Sequence, residues 1–188
     1  MIFSDAEIEQ FMTDGYVVLR RGFSREAAAE GQAFVWRKLA LPPDDPAAWH
    51  QRMIHVRELF SNDPFDRILN PRLEVALDQI MGPSRATIHD HFGWWPVLFP
   101  GFKGPGGWHV DGDDFHHHLT SPEQGLVSVF LFSDVSPGDG GTAVAIGSHH
   151  AVAHLLADAE PAGLRYKDLL HKLPSVEATQ VVELTGEA

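Results

Sequence analysis

The chain has 188 residues, 44% hydrophobic and 21% charged, with a net charge of −12 at pH 7; this is the make-up of one soluble globular domain with a core of its own. No apolar stretch long enough to cross a membrane and no basic-then-apolar leader is visible, and the acidic balance opposes a phosphate-tracking surface. The expectation is therefore a cytoplasmic protein with neither membrane nor nucleic acid as partner. Cysteine is absent, which rules out disulfides, thiolate sites and a Cys nucleophile and leaves any metal to His and carboxylate.

Ser4-Asp5-Ala6-Glu7 reads as a capping box, followed by Ile8, Phe11 and Met12 at helical spacing and a stop at Asp14-Gly15. Tyr16-Val17-Val18-Leu19 is a short β-rich run. Ser24 opens a second helix reaching Leu41, with Phe34, Val35 and Leu39 on its core face. Pro42 to Pro46 is a loop. Ala47 to Met81 reads as helical in pieces, with Asn70-Pro71 as N-cap and first residue of its last helix. After Gly82-Pro83 the period changes to two. Arg85 to Phe92 alternates, Trp94 to Phe99 is a second strand, and Leu126 to Phe132 is a continuous apolar run. A Gly/Pro/Asp turn over Asp134–Gly141 leads to a strand at Thr142–Ile146, a short helix at His149–Ala157 and a last strand at Gln180–Leu184. Helices first and short strands second predict an α+β, mainly β arrangement: helices over about 1–82 bracing an antiparallel sheet or barrel over about 83–188.

One stretch concentrates chemistry. Residues 106–118, from Gly106 through Trp108-His109-Val110-Asp111-Gly112 to His116-His117-His118, hold four of the chain's 12 histidines and three acids. On an extended segment, His109 and Asp111 face the same way and converge on one divalent ion. With a remote His they would make the two-His-one-carboxylate face of non-haem iron. The glycines before the pair allow close approach of backbone and ligand, and Trp108 is a candidate wall. Asp113 and Asp114 read as turn acids, and the triple His as a run with alternate members in solvent.

Several segments together resemble, in order, the phytanoyl-CoA dioxygenase (PhyH-like) family of Fe(II)/2-oxoglutarate oxygenases. They are the opening helix with Asp14 to Leu19, the Trp108-His109-Val110-Asp111-Gly112 core, the Phe130 to Asp134 strand, Gly138-Asp139-Gly140-Gly141-Thr142 and Ile146-Gly147-Ser148-His149. The resemblance spans nearly the whole chain. It implies a double-stranded β-helix (jelly roll), Fe(II) held by His109 and Asp111, and 2-oxoglutarate and O₂ as cosubstrates in hydroxylating a small or medium organic molecule. The family's distal His ligand and 2-oxoglutarate-anchoring Arg follow a Gly-Asp turn beyond the Ser-His segment. This sequence ends at Ala188, near where that turn is expected, so it reads as truncated before the distal His, with its last strands missing. His149 is the nearest later substitute, but the family role of that Ser-His is structural; His150, His154 and His171 are weaker still.

Other candidates each have a plain alternative. His89 and His91 share a strand face and either line the cavity or meet solvent. Of Trp94 and Trp95, one is core and the other a pocket wall. Lys103 and Arg85 are possible carboxylate partners or ordinary surface charges, and Thr142 is a cavity residue or a structural strand Thr. Two rival functions stand beside the oxygenase: a non-catalytic cupin-like binding or scaffold module with an incomplete metal site, and a cupin-type metalloenzyme that does not use 2-oxoglutarate. A halogenase is disfavoured, because Asp111 fills the position halide would take.

Overall fold

A computed structural model of the chain describes residues 1–60, 63–84, 95–101, 107–122, 126–176 and 180–188. Helix α1 (Asp5–Asp14) starts with the expected capping box: Ser4 Oγ accepts from Glu7 N, and the Glu7 carboxylate accepts from Ser4 N at 2.8 Å. Gly15, at φ 85°, closes the helix in the left-handed region. Helix α2 (Arg25–Leu39) is capped by Ser24, and α3 (Pro71–Met81) by Asn70 with Pro71 as its first residue. Asn70 also donates to Gly22 O at 2.7 Å, which ties the start of α3 to the loop before α2. Gln79 of α3 holds the N-terminal arm, accepting from Ile2 N and Phe3 N and donating to Phe3 O.

Three segments differ from their sequence reading. Met53–Val56, expected as helical, is strand β1, paired antiparallel with β2 (Trp95–Leu98) in the register Met53↔Leu98 to Val56↔Trp95. Its pairing with β2 is the reason, and its burial alternates accordingly: Met53 and His55 are exposed, Ile54 is half-buried and Val56 is buried. Leu126–Phe132 forms no strand among the described residues, and only its second half reaches the core. Phe130 and Phe132 pack on the core, whereas Val127 and Val129 are 64% and 49% exposed. Tyr16–Leu19 likewise carries no strand. The alternating run 85–92, with Trp94, lies outside the described residues.

The core is aromatic and lies between α2 and the β1–β2 pair. Phe65, fully buried, meets Phe34 edge-on at 5.3 Å, stacks on Phe60 at 5.2 Å and meets Trp95 at 4.8 Å. Phe132 closes the cluster from the far side, 4.9 Å from Trp95. Gly31 of α2 makes room for it: a Cβ there would lie 2.7 Å from Phe132 Cε1.

The second half of the chain adds β3 (His116–His117), β4 (Ala143–Ala145), α4 (Ser148–Ala159), β5 (Leu164–Arg165), α5 (Tyr166–Lys172) and β6 (Val181–Glu183). Strand β3 pairs antiparallel with β5, and β4 with β6. Residues 134–141 form a loop wrapped around one carboxylate. Glu183 Oε2 accepts from Gly138 N at 2.8 Å, and Oε1 accepts from Gly140 N and Gly141 N at 3.0 and 2.9 Å. Successive N–H groups converging in this way form an anion-binding nest. These bonds, the one from Gly138 foremost, hold the Glu183 carboxyl below the usual carboxylate range. Val135 and Gly186 exchange backbone hydrogen bonds alongside.

Two outcomes follow. Gly31→Ala gains about 1 kcal/mol of helix propensity, but displacing a packed ring costs about 1–3 kcal/mol; denaturant unfolding is expected to show net destabilisation. The pKa of Glu183 is lower folded than unfolded, so its contribution is complete above the unfolded value of about 4.3 and fades as pH falls through the folded value. Chemical denaturation from pH 6 to pH 3 should therefore show a steeper acid-side loss of stability for the wild type than for Glu183→Gln.

Candidate functional site

The site is built on residues 107–122. His109 and Asp111 lie in an irregular segment rather than on a strand, yet the two side chains face each other, with His109 Nε2 3.5 Å from Asp111 Oδ1. His109 is oriented by its own backbone: Nδ1 lies 3.1 Å from Gly107 O. A carbonyl only accepts, so Nδ1 carries the hydrogen, and in the neutral ring Nε2 is a bare lone pair. That lone pair faces a carboxylate oxygen. Two electron-rich atoms at this distance repel unless a cation or a proton lies between them. Donors sharing an ion with bonds of about 2.0–2.2 Å stand roughly 3–3.5 Å apart, which is the spacing here. A ligand His whose other ring nitrogen is fixed by a carbonyl is also the usual arrangement around metals.

Both side chains are open to solvent, His109 at 62% and Asp111 at 60%. Burial does not hold them; the loop does. Directly after Asp111 the chain turns at Gly112, φ 92°. A Cβ there would lie 2.3 Å from Phe115 Cε1, so both conformation and space require glycine. The Gly112 carbonyl accepts from His117 Nε2 at 2.6 Å. His117 is fully buried on β3 and lies against the Phe115 ring at 4.6 Å. The next residues are moored to the end of α4. Glu160 Oε1 accepts from Leu119 N at 3.0 Å, and its Oε2 lies 3.4 Å from His118 Nδ1.

The triple His thus divides into three roles. His116 is exposed, His118 pairs with Glu160, and His117 is an internal tie beneath the Asp111 turn. The sequence reading puts alternate members of the run in solvent, and the period of two on a short strand turns the middle residue opposite to its neighbours; that it ties the Gly112 turn is not visible in the sequence.

The remaining candidates are placed as follows. Trp108 is 46% exposed beside His109. Thr142 is exposed just before β4, where its carbonyl accepts from Leu184 N at 2.8 Å. His89 and Lys103, with Arg85, His91 and Trp94, lie outside the described residues. His149 sits at the other end of a different contact. Its Nε2 donates to Met12 O at 3.1 Å, while Gly147 N donates to Asp14 O at 2.8 Å. The Gly147-Ser148-His149 segment thereby satisfies carbonyls at the C-terminus of α1, a stabilising place for N–H donors. The His150 ring lies 3.9 Å from that of His149, tilted by 38°. Among the described residues, no third His, Cys, Asp or Glu joins His109 and Asp111 in a metal-sized group. No helix among them is long and apolar enough to cross a membrane. No protein-family model, curated protein or solved structure gives a significant match to this chain.

Gly112→Ala is expected to destabilise by about 1–3 kcal/mol, combining left-handed backbone strain with displacement of the Phe115 ring. Gly138→Ala, at φ 89° but with no described atom near its Cβ, carries the backbone part alone. Comparing the two by denaturant unfolding isolates the packing of Phe115 against the turn.

Proposed function

We propose that this chain is an Fe(II)/2-oxoglutarate-dependent oxygenase domain of the PhyH-like type, hydroxylating a small or medium organic molecule with O₂. The observation that carries the reading is the His109 Nε2–Asp111 Oδ1 pair at 3.5 Å, with the imidazole already oriented by Gly107 O. One imidazole and one carboxylate supply two-thirds of the facial ligand set that suits non-haem Fe(II). The ordered resemblance of the flanking segments favours 2-oxoglutarate as cosubstrate and a jelly-roll scaffold. Bound there, Fe(II) would supply the O₂ chemistry that 2-oxoglutarate oxidation drives. The protein's part would be to present the two donors on one side of the ion. Trp108 stands next to them as a flat apolar surface for a substrate, and Lys103 and Thr142 are candidates for contact with the cosubstrate.

A second reading rests on a specific observation. Oxygenase chemistry profits from a closed, water-poor site, whereas both donors here are more than half exposed. That favours a cupin-like binding module with an incomplete metal site, or a cupin-type metalloenzyme that does not use 2-oxoglutarate.

Anaerobic Fe(II) titration followed by a succinate assay with 2-oxoglutarate and O₂ separates the readings. The oxygenase reading expects Fe(II) binding and 2-oxoglutarate-dependent succinate release, both lost in His109→Ala and in Asp111→Ala. Binding that depends on both residues but yields no succinate selects the module or the other metalloenzyme. Fe(II) binding or turnover untouched by either substitution refutes the site assignment.

A further inference from the structure

We propose that His117 is the positioning residue of this site. Its buried imidazole fixes the Gly112 turn and thereby sets where Asp111 presents its carboxylate to His109. Asp111 is mostly in solvent and its one recorded polar neighbour among the described residues is His109, so its placement depends on the backbone that carries it. That backbone turns immediately afterwards at Gly112, in a conformation glycine alone adopts freely. Such a turn is loose unless something holds it. Among the described residues two groups do, both from the same short segment. The Phe115 ring occupies the space where a side chain on Gly112 would be, and His117 Nε2 donates to the Gly112 carbonyl at 2.6 Å.

His117 is suited to this task in a way its neighbours are not. It is the one fully buried polar or charged residue among those described, and a donor inside the fold loses far more from a broken hydrogen bond than one in water. Its own position is set independently of the turn, because its backbone pairs with Leu164 of β5. Gly163, at φ 66°, brings β5 so close that a Cβ there would lie 2.8 Å from His117 O. Rigidity thus passes from β5 to His117, from His117 to Gly112, and from Gly112 to Asp111. His117 lies eight positions from His109 and acts through the turn.

The experiment compares the whole chain carrying His117→Gln, which keeps an N–H donor at similar reach, with His117→Met, which fills the space without one. Two readouts are taken: backbone hydrogen exchange in the metal-free protein, and Co(II) titration followed by its visible absorption. The Co(II) readout rests on the metal reading of His109 and Asp111; the exchange readout does not. In His117→Met, amides of residues 110–114 should exchange about tenfold faster or more, with α1 to α3 unchanged. Co(II) affinity should fall about 10–100-fold, the usual cost of losing an outer support. His117→Gln should recover most of both. Unchanged exchange and affinity in His117→Met overturn the proposal. Faster exchange in a protein whose wild type binds no Co(II) supports the tie and refutes the metal reading instead. Should His117→Met not fold, ¹⁵N shifts of the wild-type ring decide: a proton on Nε2 with a contact to Gly112 supports the proposal, and a proton on Nδ1 alone overturns it.

Discussion

Phe65 is the residue on which the described structure converges. It has no exposed surface, and aromatic rings from three places surround it: Phe34 of α2, Phe60 after β1 and Trp95 of β2. Phe132, from the run that leads into the Gly-rich loop, reaches the same cluster. Rings in edge-on and offset contact bury a large area and fix mutual angles as well, so this cluster sets the relation between helix α2, the β1–β2 pair and the second half of the chain. Truncating a ring like Phe65 costs on the order of 3–5 kcal/mol, a large share of an ordinary domain's stability. Gly31 shows how close the fit is, since even one methyl on that face of α2 meets Phe132.

Away from this cluster, side chains binding backbone hold the irregular segments. Glu183 gathers three N–H groups of the Gly-rich loop, Glu160 binds Leu119 N, His117 binds Gly112 O, and His149 binds the end of α1. Loops carry main-chain donors and acceptors that no ladder satisfies, and each of these side chains supplies a missing partner. At the candidate site that tie comes from His117 on β3 to the Gly112 turn.

What the sequence disclosed was what depends on near neighbours. Ser4 with Glu7, Ser24, and Asn70 with Pro71 are caps whose partners lie within three residues, and the structure has them. The meeting of His109 and Asp111 was legible because two positions apart is close in almost any extended backbone, strand or not. Met53–Val56 is a strand that its own residues do not announce, because a four-residue run gains its strand identity from its partner at Trp95–Leu98. His117, Glu160 and Glu183 escape sequence reading for the same reason: a His in a His run, a Glu at the end of a helix and a Glu on a strand look ordinary until another segment is brought against them.

The nest around Glu183 has a consequence for the order in which the protein takes shape. Its donors at Gly138 to Gly141 precede the carboxylate by 42 to 45 positions, and the Arg25–Glu187 contact joins groups 162 positions apart. A ribosome delivers the glycine loop well before the side chain that organises it. During synthesis, the aromatic cluster up to Trp95 can assemble from what has emerged. The loop and strand β4 must wait, their polar groups satisfied by water, until β6 with Glu183 leaves the exit tunnel and the long-separated contacts close.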